Sequence, residues 1–151
     1  MVIVAPLRSD DCAEWEVLAR GYKDFYRDPR PDEDYRRTWD RLMAGGDVHG
    51  LGAKVDGRLA GIAHYLFHPT VWLGESCYLQ DLFTAPDARG RGVARALIEA
   101  VADAARSRGA SRYYWLTAQD NRTARSLYDK VARFKGFVRY EYELVGSGRD
   151  S

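Results

Sequence analysis

The stretch that decides the fold is Gln80-Asp81-Leu82-Phe83-Thr84-Ala85-Pro86-Asp87-Ala88-Arg89-Gly90-Arg91-Gly92-Val93-Ala94. Apolar and aromatic residues end a strand, Pro86 stops it, two glycines shape a turn, and an alanine-rich run opens a helix. A helix N-terminus presents N–H groups with no intrahelical acceptor and the positive end of the helix dipole. Glycine there lets the backbone approach an anion and adopt positive φ. Arg89, Arg91 and Arg95 add positive charge to the same turn. These features make an anion site of the kind that holds a phosphate or pyrophosphate. The loop is not a Walker loop, which needs Gly-Lys-Ser/Thr, nor a Gly-x-Gly-x-x-Gly dinucleotide fingerprint. A glycine pair by itself equally serves only to shape a turn.

Outward from this loop, the spacing predicts a strand over residues 75–84 before it and a helix over 93–108 after it. The helix carries the apolar stripe Val93, Leu97, Val101, with Gly109 as C-cap. Upstream, residues 50–55 and 59–67 read as strands joined at Asp56-Gly57, a two-residue hairpin signal. Residues 2–4 form a first strand. Ser9 is expected to cap a helix carrying Asp10, Asp11 and Glu14 in its first turn and Trp15, Leu18, Ala19 and Tyr22 at helical spacing. Pro29 and Pro31 end it, and a second helix runs over about 32–43 to Gly45-Gly46. Downstream, a strand is expected over 112–117, a helix over 121–134 and a closing strand over 137–144, with 146–151 as a frayed tail. The order β-α-α-β-β-β-α-β-α-β defines an α/β (α+β) fold. One domain over 1–145 holds a mixed, mostly antiparallel central sheet with helices on both faces.

Bulk properties narrow the function. The 151-residue chain carries a formal net charge of +1, so no basic excess points to nucleic acid or a membrane surface. No apolar run approaches the roughly 18 residues of a membrane span, and the N-terminus does not read as a signal peptide. Cys12 and Cys77 stand in no redox or metal spacing, which fits a reducing cytoplasm. His49, His64 and His68 form no ligand pattern, so no metal site is expected.

The loop also fits Arg/Gln-x-x-Gly-x-Gly/Ala, with Arg89, Gly92 and Ala94 at the key places. In this it resembles the pyrophosphate-binding motif of the GCN5-related N-acetyltransferase (GNAT) superfamily. Asn121-Arg122-Thr123-Ala124-Arg125-Ser126-Leu127-Tyr128 is similar to the family's Asn-x-x-Ala-x-x-x-Tyr helix, and Gly136-Phe137 to its approach to the last strand. Three motifs in family order cover residues 59–144. The segments 78–83 and 127–130 resemble the branch holding a yeast histone/polyamine acetyltransferase and the diamine acetyltransferases.

The resemblance implies acetyl-CoA as co-substrate and direct transfer of its acetyl group to a primary amine, on a small cationic molecule or a lysine side chain. It implies a cofactor site built from Leu82, Phe83, Thr84, Arg89, Gly90, Arg91, Gly92, Val93, Ala94, Arg95, Asn121, Ala124 and Lys130. An oxyanion is expected to meet a backbone N–H near the end of the 80–84 strand. Tyr128 stands where the family places the proton donor to the departing thiolate, although spacing alone also fits a core aromatic. The amine must lose a proton first, and at a pKa of about 10.4 this costs roughly 4–5 kcal/mol at neutral pH. Asp81, Glu75 and His64 are candidates for the base, beside a water chain with no dedicated base. The diamine enzymes carry a glutamate where this chain has Gln80, so that role does not carry over. The acidic run Asp32-Glu33-Asp34 suggests a rim attracting cations, and equally a helix first turn complementing its dipole. A non-catalytic acyl-CoA-binding module and a homodimer are the further expectations.

Overall fold

A computed structural model describes residues 1–145; the expected tail lies outside the described residues. Two compact units appear, Met1–Leu116 and a second beginning at Thr117.

In the first unit, β1 (Val2–Pro6), β2 (His49–Val55), β3 (Arg58–Pro69), β4 (Glu75–Thr84) and β5 (Arg112–Tyr114) lie in that order in one sheet. Every neighbouring pair is antiparallel except β4 and β5, which are parallel. The β2–β3 turn places Asp56 at φ 53° and Gly57 at 77°, the two positive values that the Asp-Gly pair favours. β3 runs past the expected end at 67, with Pro69 as its last residue.

The helices α1 (Cys12–Phe25) and α2 (Asp32–Ala44) cover one face. Their Trp15, Leu18, Trp39 and Leu42 pack with Ile62 of β3 and Phe83 of β4. Ser9 does not cap α1. A short 3-10 turn, Ser9–Asp11, precedes it, and the nearly buried Asp11 accepts the Arg8 N–H at 2.8 Å and meets Lys54 at 3.1 Å. A carboxylate that satisfies both a turn amide and a lysine displaces the hydroxyl expected there.

The opposite face carries α3 (Val93–Arg108), closed by Gly109 at φ 78° as expected. Gly61 allows the close approach of this helix: a Cβ there would lie 2.5 Å from Val93 Cγ1 and 3.1 Å from Leu97 Cδ1. Gly61→Val is therefore expected to overpack the β3–α3 seam by about 1–3 kcal/mol and lower the melting temperature by several degrees. Thermal unfolding followed by circular dichroism checks this, and an unchanged melting temperature would refute the tight seam.

In the second unit, α4 (Arg122–Val131) stops short of the expected end at 134, because Ala132 turns extended and Arg133 and Phe134 stay exposed, leaving no apolar face to continue. The expected closing strand is absent among the described residues. Residues 137–144 have strand composition, but every one is exposed and none enters a ladder. A strand needs a hydrogen-bonding partner as well as propensity. Among the described residues the sheet thus has five strands, with β5 at its edge.

Candidate active site

β5 is three residues long instead of six, and this shortening opens the site. Its ladder with β4 joins only Ser76, Cys77 and Tyr78 to Arg112, Tyr113 and Tyr114. Beyond Tyr78, the remainder of β4, Leu79 to Thr84, has no partner on the β5 side among the described residues. Alternate residues of an unpaired strand edge offer N–H and C=O groups to a ligand.

That free edge leads into the arginine-glycine loop. Gly90 and Gly92 have φ of 81° and 80°, and Gly92 is the N-cap of α3. No side chain caps this helix, and its first turn contains no Asp or Glu. Arg89, Arg91 and Arg95 are exposed around it. Uncapped amides, left-handed glycines and three guanidiniums fit a pyrophosphate in charge and donor geometry. The residues Leu82, Phe83, Thr84 and Arg89 to Arg95 therefore form one continuous strand-loop-helix segment in the first unit.

The second unit holds the other expected positions on α4. Asn121 is its N-cap: Oδ1 accepts the Ala124 N–H at 3.3 Å, and Nδ2 donates to Thr117 Oγ1 at 3.2 Å. Ala124 and Tyr128 are half-buried and Lys130 is exposed. α4 has no fully buried residue, so Tyr128 is not a core aromatic of this unit.

The three base candidates differ in their surroundings. Glu75 sits at the far end of β4 in a two-point pair with Arg108, at 3.0 and 3.1 Å, and that guanidinium holds its carboxyl below the ordinary range. His64 and Asp81 face each other across β3 and β4, with Nδ1 2.9 Å from Asp81 Oδ2. His64 Nε2 receives the Trp15 indole N–H at 3.0 Å. An indole nitrogen only donates, so Nε2 accepts and the ring proton lies on Nδ1, pointing at Asp81. Burial pushes the Asp81 carboxyl up. The His64 hydrogen bond, the positive field of Lys23 and the Tyr22 hydroxyl outweigh it and hold the group below the ordinary range. Burial beside Asp81 pushes the Tyr22 phenol far up, which keeps it a donor.

A β-bulge sets this arrangement. His64 pairs with Asp81 but Tyr65 pairs with Leu79, so the exposed Gln80 is an extra residue in β4. Without it, Asp81 would share the face of Leu79. With it, Asp81 and Phe83 point toward α1, where Tyr22 meets both. The bond between Trp15 and His64, and the convergence of His64 and Tyr22 on Asp81, escaped the sequence reading. Their one signal is an indole N–H at a core-facing helix position, which must find an acceptor.

The acidic run does not form an open rim. Asp32 pairs with Arg20 at 2.9 Å, Glu33 with Arg37 at 3.7 Å, and Asp34 with Arg37 at 3.5 Å and Arg30 at 3.9 Å. The groove of about 280 Å³ between α1 and α2 is lined by Trp15, Arg20, Tyr35 and Trp39 among others. Among the described residues no group of three or more His, Cys, Asp or Glu side chains is gathered to hold a metal ion.

Known proteins share this architecture. The acetyltransferase (GNAT) family profile matches residues 15–134, and the chain belongs to that family. It is 35% identical over 136 residues to the D-amino-acid N-acetyltransferase HPA3 of Saccharomyces cerevisiae, covering 87% of this chain and 84% of that one. It is 31% identical over 137 residues to the thialysine N-epsilon-acetyltransferase of Sus scrofa, covering 84% and 81%. Among solved structures, a ribosomal-protein-alanine N-acetyltransferase from Brucella melitensis biovar Abortus 2308 superposes with TM-score 0.78 at 28% identity over 95% of this chain and all of that one. The aminoglycoside acetyltransferase AAC(6')-Iy, with a CoA-linked bisubstrate analogue, reaches TM-score 0.85 at 17% identity over 96% and 99%, a likeness of fold. The protein is an acetyltransferase that draws on acetyl-CoA.

Proposed function

We propose that the protein acetylates a primary amine, on a small cationic molecule or a lysine-like side chain, by direct transfer. The observation that carries this reading is the unpaired length of β4 running into an uncapped, arginine-flanked helix N-terminus. Support for the acceptor class comes from relatives whose names specify D-amino acids and the ε-nitrogen of thialysine. Acetyl-CoA supplies the acetyl thioester. In this reading the α3 amides with Arg89, Arg91 and Arg95 hold its phosphates, and Leu82, Phe83 and Thr84 line its arm. The family resemblance adds Asn121, Ala124 and Lys130 to the residues that hold the cofactor. Tyr128 donates a proton to the departing sulfur, and Asp81 faces the acceptor nitrogen. A non-catalytic binding module is the weaker reading, because both relatives described are named as enzymes.

An acceptor screen with acetyl-CoA, read as thiol release, tests the function. Thialysine, spermidine and 1,5-diaminopentane are expected to be turned over, with kcat/KM rising toward pH 8–9 as the free amine becomes available, about tenfold per pH unit below its pKa. Turnover of only neutral or anionic amines would sink the acceptor class and leave the family assignment standing.

We also propose a homodimer in a reducing cytoplasm. Val71, Trp72 and Leu73 at the β3–β4 tip and the apolar residues of 137–144 are exposed, and Cys12 and Cys77 are free thiols. Light scattering on the purified chain reads the oligomeric state.

A further inference from the structure

We propose that Asp81 is the anchor for the acceptor's ammonium group, and that Trp15 and His64 are positioning residues that keep its carboxylate aimed and ready to receive a cation. The inference rests on the acetyltransferase reading of the same site and adds to it the group that selects a positive charge.

Asp81 lies on the unpaired length of β4, two residues before Phe83, on the face that the bulge at Gln80 turns toward α1. Its side chain keeps 21% of its surface open, enough for one small donor to reach it. One donor bonds it, the Nδ1–H of His64 at 2.9 Å, and the Tyr22 hydroxyl acts on it from close by; neither side chain carries a charge in this arrangement. Among the described residues no lysine or arginine forms an ion pair with Asp81. Lys23 of α1 acts on it through its positive field, but its ammonium is engaged with Asp28 at 3.2 Å. The surroundings are completed by Tyr26 and Tyr78, which act on Tyr22, and by Phe83, whose ring meets Tyr22 edge-on at 6.1 Å.

A largely desolvated carboxylate without a cation is expensive, and neutral donors hold it only in part. The missing partner is a positive charge delivered from outside the chain. An alkylammonium fits: it is compact, donates three hydrogen bonds and leaves an apolar tail for the exposed aromatic residues Phe25 and Tyr26 at the end of α1. The Trp15–His64 bond makes this arrangement persistent. With Nε2 occupied by the indole, the imidazole cannot turn or shift its proton without losing a buried hydrogen bond, so Nδ1–H stays on Asp81. A carboxylate held this way binds the ammonium and is a weak acceptor of its proton, which leaves deprotonation to water.

The test is calorimetric binding of thialysine, 1,5-diaminopentane and spermidine to the CoA-saturated protein as a function of pH, with melting temperature and acetyl-CoA affinity measured on every variant. Asp81→Asn should weaken the amines by about 30-fold, the loss expected when a charge-assisted contact becomes neutral. Its acetyl-CoA affinity should be unchanged. Trp15→Phe removes the indole donor together with part of a buried ring, and His64→Leu removes the hydrogen bond to the carboxylate. Both should move the acid limb of amine binding to higher pH, because a carboxyl that loses its donor protonates more readily. His64→Gln, whose amide N–H still donates, should restore the limb toward wild type. A merely structural role for Trp15 would lower the melting temperature and leave the limb in place. Wild-type-like amine binding by Asp81→Asn, or failure of the wild-type protein to bind any of the three cations, overturns the anchor. Failure to bind acetyl-CoA in the wild-type protein overturns the transferase reading instead.

Discussion

Gly92→Asp is expected to weaken acetyl-CoA binding by about 10³-fold while leaving the fold intact. The residue is the N-cap of α3 at φ 80°, and a Cβ built there meets nothing within 4 Å. Steric collision with the protein is therefore not the cause. A left-handed backbone costs a residue with a Cβ roughly 1–2 kcal/mol. The larger effect is electrostatic. Aspartate is a favoured N-cap, so its carboxylate takes the free N–H groups that the phosphate needs and places a negative charge where two more must come. Losing two charge-assisted hydrogen bonds at about 1.5–3 kcal/mol each gives the stated factor, whereas the strain is present with and without ligand and falls on stability. Because an aspartate cap stabilises a helix, the melting temperature should change little. Gly92→Ala carries the strain alone, so it should cost stability and lose little affinity. Titration calorimetry separates the two, and an affinity equal to wild type in Gly92→Asp would show that the loop is only a turn.

The parts of the fold that were legible in the sequence are those written in local signals. β4 runs from Glu75 to Thr84 and α3 from Val93 to Arg108, as the periodicity predicts, because Pro86, Gly92 and Gly109 punctuate them by backbone geometry. The Asp56-Gly57 hairpin is of the same kind. What the sequence hid depends on a second strand. The bulge at Gln80 exists only in register with His64 and Tyr65, and no residue type at position 80 announces it. Yet it decides which face Asp81 serves. The Trp15–His64 bond joins residues 49 apart and leaves no periodic trace. The segment 137–144 shows the opposite error: its valine and tyrosine content reads as a strand, but without a partner among the described residues it forms none. The acidic run at 32–34 stands in the first turn of α2, as the dipole reading expects, while the arginines that pair with it lie on both sides of it in sequence and meet it only through helix geometry and the α1–α2 packing.

Tyr128→Phe is expected to lower kcat by about 10²-fold or more, the usual contribution of a positioned general acid. The assignment follows from the needs of the leaving group. A thiolate departs more easily when a proton meets it, and a phenol, ionising near pH 10, is protonated at neutral pH and close enough in acidity to give its proton up. The phenylalanine keeps the ring and its packing and removes only the hydroxyl. Since Tyr128 is half-buried on a helix with no fully buried residue, this loss should cost little stability. A general acid acts as the bond breaks, so KM for both substrates should stay within about threefold while kcat falls. Steady-state kinetics at neutral pH, run beside thermal unfolding, test all three points. If kcat holds and the melting temperature drops, Tyr128 is a packing residue, and the proton must come from water or another donor.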